Sequence, residues 1–406
     1  MTNIILNEDQ ERIKNKAVEW FRSSSEQVFE IDGPAGTGKS VLIAAILREL
    51  NLSINQYLPM AYTGQASIVM RTRGFPTARS IHSSLYELEE YIDENDRLNL
   101  VFGKPVKKRK RFVLNKFLSP TICLFFIDEA YMVPKWMVKD ILSFGIKVIA
   151  CGDAHQLPPV GDQPGFLTGY NINHLTKLMR QSENNPIVYL SHRAMNGLPI
   201  HTGMYGNDAM VINDTDFIPE MIGFVDCVCC GTNKTRESMN RYVRKLAGYE
   251  GKLPKVGERI ICRKNNWDIS IDGISLANGL AGTVVQAPTV FKGDYFNIDF
   301  LPDLSQYVFE NLILNYEYFS GTPEVKNEMK SSFEINRYID GEFFDFAYCL
   351  TTHLCQGSEY NNLIYIEEFL NKQIQNQLIY TGITRAKHKL IYIKKTNKYF
   401  SFGSVK

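Results

Sequence analysis

No stretch of the chain approaches the roughly 18 consecutive apolar residues that a membrane helix needs. Met1 to Glu11 carries no apolar run of the secretory kind, so the expectation is a cytoplasmic protein with no membrane partner. Cysteine is sparse, 8 residues in 406, which excludes a disulfide-stapled scaffold. Most cysteines sit in apolar runs such as 121–127 and 147–151, where buried reduced thiols are expected. The CxxC at Cys227 to Cys230 has no second pair or nearby His to complete a four-ligand zinc site. Charge of one sign is also missing. Lys and Arg number 45 against 44 Asp and Glu, a net of +1, so any basic surface that meets an anionic partner must be local. There is no repeat of fixed period and no coiled-coil heptad, which points to a monomer.

What is present is a globular composition, 44% hydrophobic and 22% charged, long enough for about two to four domains. In the first third, apolar runs alternate with helical patterns, as in a parallel α/β sheet. Val28 to Ile31, Tyr57 to Tyr62, Ile122 to Ile127 and Ile146 to Cys151 read as buried strands, and Ser40 to Leu50 as a helix. Residues 86–116 break this rhythm, turning from acidic (Glu87 to Asp96) to basic (Lys104 to Arg111), and read as a small insertion. A second α/β region opens near Met179 with the strand Phe224 to Cys230. Over 253–341 short strands with Gly and Asn turns predict a small inserted β-barrel. The parallel pattern then returns at Phe346 to Thr351, Leu363 to Ile366 and Leu390 to Lys394.

Gly33, Pro34, Ala35, Gly36, Thr37, Gly38, Lys39 and Ser40 match GxxxxGK[ST], placed between a strand and a helix. Such a loop curls backbone amides around phosphates, aims Lys39 at the β/γ oxygens and offers Ser40 to magnesium. The run Ile122 to Ala130 delivers Asp128 and Glu129 at a strand end, the first suited to hold magnesium and the second to accept a proton from water. Alone, such a pair is often a solvated cap; with the phosphate loop it describes nucleotide hydrolysis. Cys151 to Val160 starts where another strand stops, so Asp153 and Gln156 could flank the γ-phosphate.

Together these three segments resemble the superfamily 1 helicases of the RecD, Dda and TraA-like group. The resemblance implies two RecA-like P-loop domains, 1–85 with 117–178 (ATP-binding) and 179–252 with 342–406. It also implies an insertion at 86–116 that carries a strand-separating hairpin, and an SH3-like β-barrel at 253–341. ATP and Mg2+ are the implied cofactors. Leu6 to Gln10 is similar to the motif in which Gln10 reads adenine, although a helix start capped by Asn7 explains it as well. Ala61 to Ser67 and Arg79 to Ser83 look like the segments that touch single-stranded DNA through Thr63, Ser80 and His82. Leu178 to Gln181 and Gln377 to Lys387 are similar to the segments carrying two arginine fingers, Arg180 and Arg385. Tyr348 to Glu359 resembles the segment coupling nucleotide to DNA, with Thr352 and His353 on the strand and Gln356, Gly357 and Glu359 by the nucleotide.

Two departures stand out: many members have a basic residue where this chain has Gln65, and another where it has Leu354. The basic run Lys107 to Arg111 fits a solvated loop, a nuclear-import signal or the flank of a hairpin that splits duplex. Asn265, Asn266, Trp267 and Tyr295 could stack on bases, or belong to the barrel core. The implied activity is an ATP-dependent 5′ to 3′ DNA helicase, its polarity carried by the resemblance alone. Alternatives are an RNA or RNA–DNA motor and a DNA-binding ATPase clamp without unwinding. A P-loop kinase would not need the Arg180, Arg385 and His353 segments. The implied partners are single-stranded and forked DNA, with a single-stranded-DNA-binding protein or the machinery of replication, recombination or repair.

Overall fold

The computed structural model describes residues 6–92, 108–115, 117–179, 184–291, 294–336, 341–370 and 374–396, without the side chains of 108–110, 291 and 332–336. The apolar runs of the first third form a six-stranded, all-parallel sheet. Its order is Arg79–Ser80, Tyr57–Ala61, Leu124–Asp128, Lys147–Gly152, Val28–Asp32 and Ile172–His174. Side chains alternate across a strand, so Leu124 and Phe126 meet helices Glu8–Ser23, Lys39–Glu49 and Gly64–Thr72 on one face. Phe125 and Ile127 meet Ile81–Leu85 and Lys135–Ser143 on the other. With both faces covered, the strands are apolar throughout and only their ends are polar. The edge strand Ile172–His174 has no long apolar run, which is why periodicity misses it.

The second lobe repeats this design. Cys349–Thr351, Cys227–Cys230, Tyr360–Ile366, Ala386–Lys394 and Ala209–Asn213 are parallel neighbours, with Gly203–Tyr205 antiparallel at the edge. All eight cysteines are free, and Cys227, Cys229 and Cys230 are buried in this sheet. Among the described residues no helix is long and apolar enough to cross a membrane.

Over the predicted barrel the chain forms a five-stranded antiparallel sheet, ordered Phe309–Asn315, Tyr295–Pro302, Ala281–Phe291, Arg259–Cys262 and Phe344–Phe346. The hairpin Asn266–Ile271 and Ile274–Leu276 lies beside it. Its edges are linked only by an isolated bridge between Leu314 and Glu342, so among the described residues the ladder does not close into a ring. Nor does this sheet stop at 341. Ala347 N donates to Arg259 O at 2.9 Å, whereas Tyr348 O accepts from Val228 N at 2.9 Å. One extended run, Phe346 to Thr351 in the sequence, therefore serves two sheets.

The insertion is an antiparallel hairpin, Tyr86–Ile92 with Lys108–Leu114, in which Glu89 faces Arg111 at 2.7 Å. The charge change along the sequence thus becomes cross-strand pairing. Residues 93–107, Lys107 among them, lie outside the described residues.

Helix Gln375–Ile383 packs so closely on the second sheet that a Cβ at Gly382 would fall 2.1 Å from the Tyr365 ring, itself buried. Gly382→Ala should therefore destabilise the chain by about 1–3 kcal/mol through overpacking, read as a lower urea midpoint at unchanged slope.

Candidate functional site

The first sheet ends its strands side by side, Asp32 opposite Gly152 and Ala61 opposite Asp128. The phosphate loop crosses this edge. Gly36 and Gly38 take φ of 86° and 77°, a region that costs any residue with a Cβ. At Gly38 a Cβ would also lie 2.5 Å from Gln10 Nε2. Lys39, the first residue of its helix, turns its ammonium back into the loop and donates to Gly33 O at 2.6 Å.

A cavity of about 370 Å³ opens over this loop, inside the roughly 300–1,000 Å³ range of small-ligand sites. Its wall brings together Ala35, Gly36, Gly38, Lys39 and Ser40 of the loop, Asp128, Glu129 and Gln156 from strand ends, and Gly357, Glu359 and Arg385 from the second lobe. Gly33, Pro34 and Thr37 form the turn behind it. Thr37 Oγ1 donates to Pro34 O at 2.8 Å. Cations Lys39, Arg73 and Arg385 face carboxylates Asp128, Glu129 and Glu359. This donor set suits a triphosphate with magnesium, an ion that takes one or two carboxylates plus phosphate oxygens; Ser40 and Asp128 are the side chains that would hold it.

Glu129 has φ 51°, a strained backbone for a residue with a Cβ. Burial pushes its carboxyl up, while Arg385 pulls the other way with Nη1 at 3.9 Å from Oε1. A part-buried carboxylate of raised pKa is better matched to proton transfer near neutrality. Asp153 does not line the cavity. Burial would raise its carboxyl, but hydrogen bonds from His155 and Tyr380, with the Lys39 charge, hold it below the usual range. Gln156 does line it, with Oε1 buried and unpartnered.

The second lobe closes on the loop through specific hydrogen bonds. Ala35 N donates to the Tyr380 hydroxyl at 2.8 Å, and that hydroxyl donates to Asp153. Leu157 N donates to Thr381 Oγ1 at 3.0 Å, and Gln356 Nε2 donates to Leu157 O at 2.9 Å. Arg385 is buried and braced by the Thr381 and Ser358 carbonyls.

Sequence reading missed Arg73, just beyond helix Gly64–Thr72. It pairs with Glu359 of the second lobe and lies 3.4 Å from Ser40 Oγ. Burial opposes its charge, but Glu359, Asp128 and Glu129 more than offset that. No motif marks it, since its partner lies 286 residues away. Tyr380 and Met179 were missed as well. Gln10 is fully buried. Its Oε1 accepts from Asn7 N at 3.0 Å and its Nε2 donates to Thr37 O at 2.9 Å, so it both caps its helix and braces the loop. Met179 joins them, with N donating to Gly36 O at 2.9 Å. Arg180, the next residue, lies outside the described residues.

The expected DNA residues are placed unequally. Thr63 and Ser80 both cap helices, accepting from Ala66 N and Ser83 N at 3.1 Å. Thr352 is fully buried and donates to Cys230 O at 3.2 Å, so its side chain faces the core instead of a strand. The reason is local: Thr352–Cys355 is a helical turn, which rotates Thr352 inward and leaves His353 part-exposed. Gln65 is buried and Leu354 packs on the second-lobe core, so neither presents a polar group where a basic one was anticipated.

His82 sits in an aromatic cluster where three parts of the chain meet. Its ring stacks on Trp267 of the inserted module at 5.0 Å and lies 5.3 Å from Phe112 and 5.5 Å from Tyr86 of the hairpin. Trp136 of the first lobe completes it at 6.4 Å. Burial pushes the His82 imidazole down to about 4.

A phosphate loop, strand-end carboxylates and a buried arginine from a second α/β lobe define a P-loop nucleotide-binding protein of two lobes. The chain belongs to the AAA domain family, whose model it matches over residues 6–214, just over half its length. The UvrD-like helicase C-terminal domain model matches it as well, over residues 346–393. Among solved structures the fold is similar to Pif1 helicase from Candida albicans (18% identity, TM-score 0.52, covering 96% of this chain and 94% of that one). It is equally similar to Pif1 helicase from Bacteroides in complex with ADP-AlF3 and ssDNA (18%, 0.52, 96% and 92%). Curated relatives include an uncharacterized protein of Methanocaldococcus jannaschii, 25% identical over 89% of this chain. Another is an uncharacterized protein of Acanthamoeba polyphaga mimivirus, 29% identical over 39% of the chain. The chain spans only 36% and 34% of the lengths of these two relatives.

The cluster makes a pH prediction. Folded His82 titrates at about 4 against 6.5 for an unperturbed imidazole, so as pH falls the unfolded chain takes up its proton first. Its contribution to stability is present above about pH 6.5 and is lost on the way down to about 4, up to roughly 3 kcal/mol in all. Urea titrations of the parent and of His82→Phe across this window should diverge accordingly; parallel curves would mean that His82 stays hydrated.

Proposed function

We propose that this chain is an ATP-hydrolysing DNA helicase that tracks 5′ to 3′ along single-stranded DNA and unwinds duplex. The observation that carries the reading is the approach of Arg385 from the second lobe to Glu129 and the Lys39 loop of the first, in one cavity. Bound ATP with magnesium would supply the phosphoanhydride bond to be cleaved. Lys39 and the loop amides then hold the phosphates, and Ser40 and Asp128 hold the metal. Glu129 takes the proton of the attacking water and Gln156 orients it, while Arg385, with Arg180 as a second finger, stabilises charge developing at the γ-phosphate. Because these groups come from two lobes, hydrolysis and lobe closure are coupled.

Thr63, Ser80, His82 and His353 are the proposed strand contacts. The hairpin is the proposed separating element, and the five-stranded sheet is the counterpart of an SH3-like barrel. Support for the DNA assignment comes from the similar fold of Bacteroides Pif1, which is known in complex with ssDNA. A clamp that hydrolyses ATP without unwinding is the second reading, favoured by Gln65 and Leu354 standing where basic residues were anticipated.

Glu129→Gln should retain ATP binding and lose turnover, and Arg385→Ala should cut DNA-stimulated kcat by roughly 10² or more while nucleotide-free DNA binding survives. Turnover by Glu129→Gln at the parental rate would remove Glu129 as the base. ATPase stimulation by single-stranded DNA against RNA identifies the substrate.

Replacing residues 86–116 by a short glycine linker should spare stimulated ATPase and abolish unwinding of a 5′-tailed duplex. Unwinding of only a 3′-tailed duplex by the parent refutes the polarity, and unwinding of neither favours the clamp.

A further inference from the structure

Positive charge also gathers away from the cleft. A second cavity, of about 470 Å³, lies between helix Asn233–Leu246 and the inserted module, below the turn 320–323. Deep in it Asp345, 4% exposed, takes Lys326 Nζ at 2.5 Å and Arg236 Nη1 at 3.0 Å, with Arg263 Nε behind at 3.5 Å. Glu237 lies 3.4 Å from Arg236 Nη2. Arg244 is fully engaged by Glu258, at 2.7 and 3.0 Å. Arg241 and Lys252 line the mouth and are exposed.

Setting aside the Arg244–Glu258 pair, the described residues around the cavity thus oppose five cations, Arg236, Arg241, Lys252, Arg263 and Lys326, to three carboxylates, Asp345, Glu237 and Glu324, the last hydrogen-bonded to Thr322 of the cavity wall. Arg241 and Lys252 are exposed, but Arg236, Arg263 and Lys326 are largely buried and exceed the buried carboxylates Asp345 and Glu237 by one, and a buried surplus of one sign is costly without a counter-ion. Two further observations point to an anion. Arg236, 3% exposed, has a buried Nε with no hydrogen-bond partner. Helix Pro323–Asn336, 14 residues long, begins at the cavity wall, so the partial positive charge of its first turn lies there, shared with Glu324. Lys330 on that helix is pushed down to about 8, by burial first and then by Arg263, Arg236 and Lys326 outweighing Asp345, as expected where positive charge is under-compensated.

We propose that this cavity is a phosphate-binding site, with the anion seated between Arg236, Lys326 and the start of helix Pro323–Asn336, and Arg241 and Lys252 guarding the entrance. A phosphate suits it because its several acceptor oxygens can take guanidinium, ammonium and amide donors at once, and its charge answers the surplus. Its source is either the backbone of a nucleic-acid strand or a free phosphorylated molecule. The site shares no residue with the nucleotide cleft and does not depend on the helicase reading.

The test is calorimetric titration of pyrophosphate into the full chain with the cleft saturated by ADP. The parent should bind, and both Lys326→Gln and the double variant Arg241→Ser with Lys252→Ser should weaken binding by about ten-fold or more, since each removes charge-assisted contacts to the anion. The double variant touches only exposed side chains and should keep the parental urea midpoint and ADP affinity, so it serves even if Lys326→Gln fails to fold. Displacement of pyrophosphate by oligothymidylate, with a salt slope reduced by about 0.7 per lost contact in the double variant, assigns the site to strand backbone. Binding that persists beside oligothymidylate assigns it to a free phosphorylated molecule. No pyrophosphate binding by the parent, or parental affinity in the double variant, would overturn the proposal and leave the charges as an ion-pair network only.

Discussion

The phenol of Tyr380 holds the two lobes in register across the phosphate loop. Its hydroxyl accepts from Ala35 N and donates to Asp153, so one oxygen ties the loop, a strand end of the first sheet and a helix of the second. Tyr380 is buried, and in a dry site such a relay is strong when complete and costly when broken. Thr381 and Gln356 fasten the same seam at Leu157. With the seam closed, Arg385 is delivered to Glu129 from a helix that the first lobe does not own.

Much of this was legible in the sequence, because some residues carry their geometry with them. A GxxxxGK[ST] run needs a strand before it and a helix after it, and both flanks were readable from apolar periodicity. Asp128 and Glu129 were readable because a parallel strand buried on both faces can place carboxylates only at its end. Arg73 was not, since its function arises from a contact with Glu359 that no local pattern records. Thr352 was expected from the resemblance to touch DNA, but the helical turn that starts there turns its hydroxyl onto Cys230 O, an inward orientation set by tertiary packing that no local pattern records. The barrel was half legible: alternation predicts strands well, but whether the edges meet depends on pairing between segments far apart in sequence. The double service of the run near Ala347 is hidden for a similar reason, since one extended peptide looks the same whichever sheet it joins.

The aromatic cluster around His82 shows how a polar residue type can serve as an apolar one. Stacked on Trp267 and bordered by Phe112, Tyr86 and Trp136, the imidazole is neutral at physiological pH, and its burial is tolerable for that reason. The hairpin, the first lobe and the inserted module share this contact, so the base of the hairpin is held from two sides.

Helix Gly64–Thr72 is the other shared part. Its N-terminal end lies against Gly357, Ile68 belongs to the core of the inserted sheet, Arg71 pairs with Asp272 at 2.6 Å, and Arg73 beyond its last turn reaches the cleft. Nine residues of helix, about 14 Å long, thus belong to two folding units at once. The inserted sheet is therefore not an exchangeable cassette. A chimera that borrowed this sheet from a relative would have to borrow the helix with it, and in doing so would import a foreign wall for the nucleotide cleft.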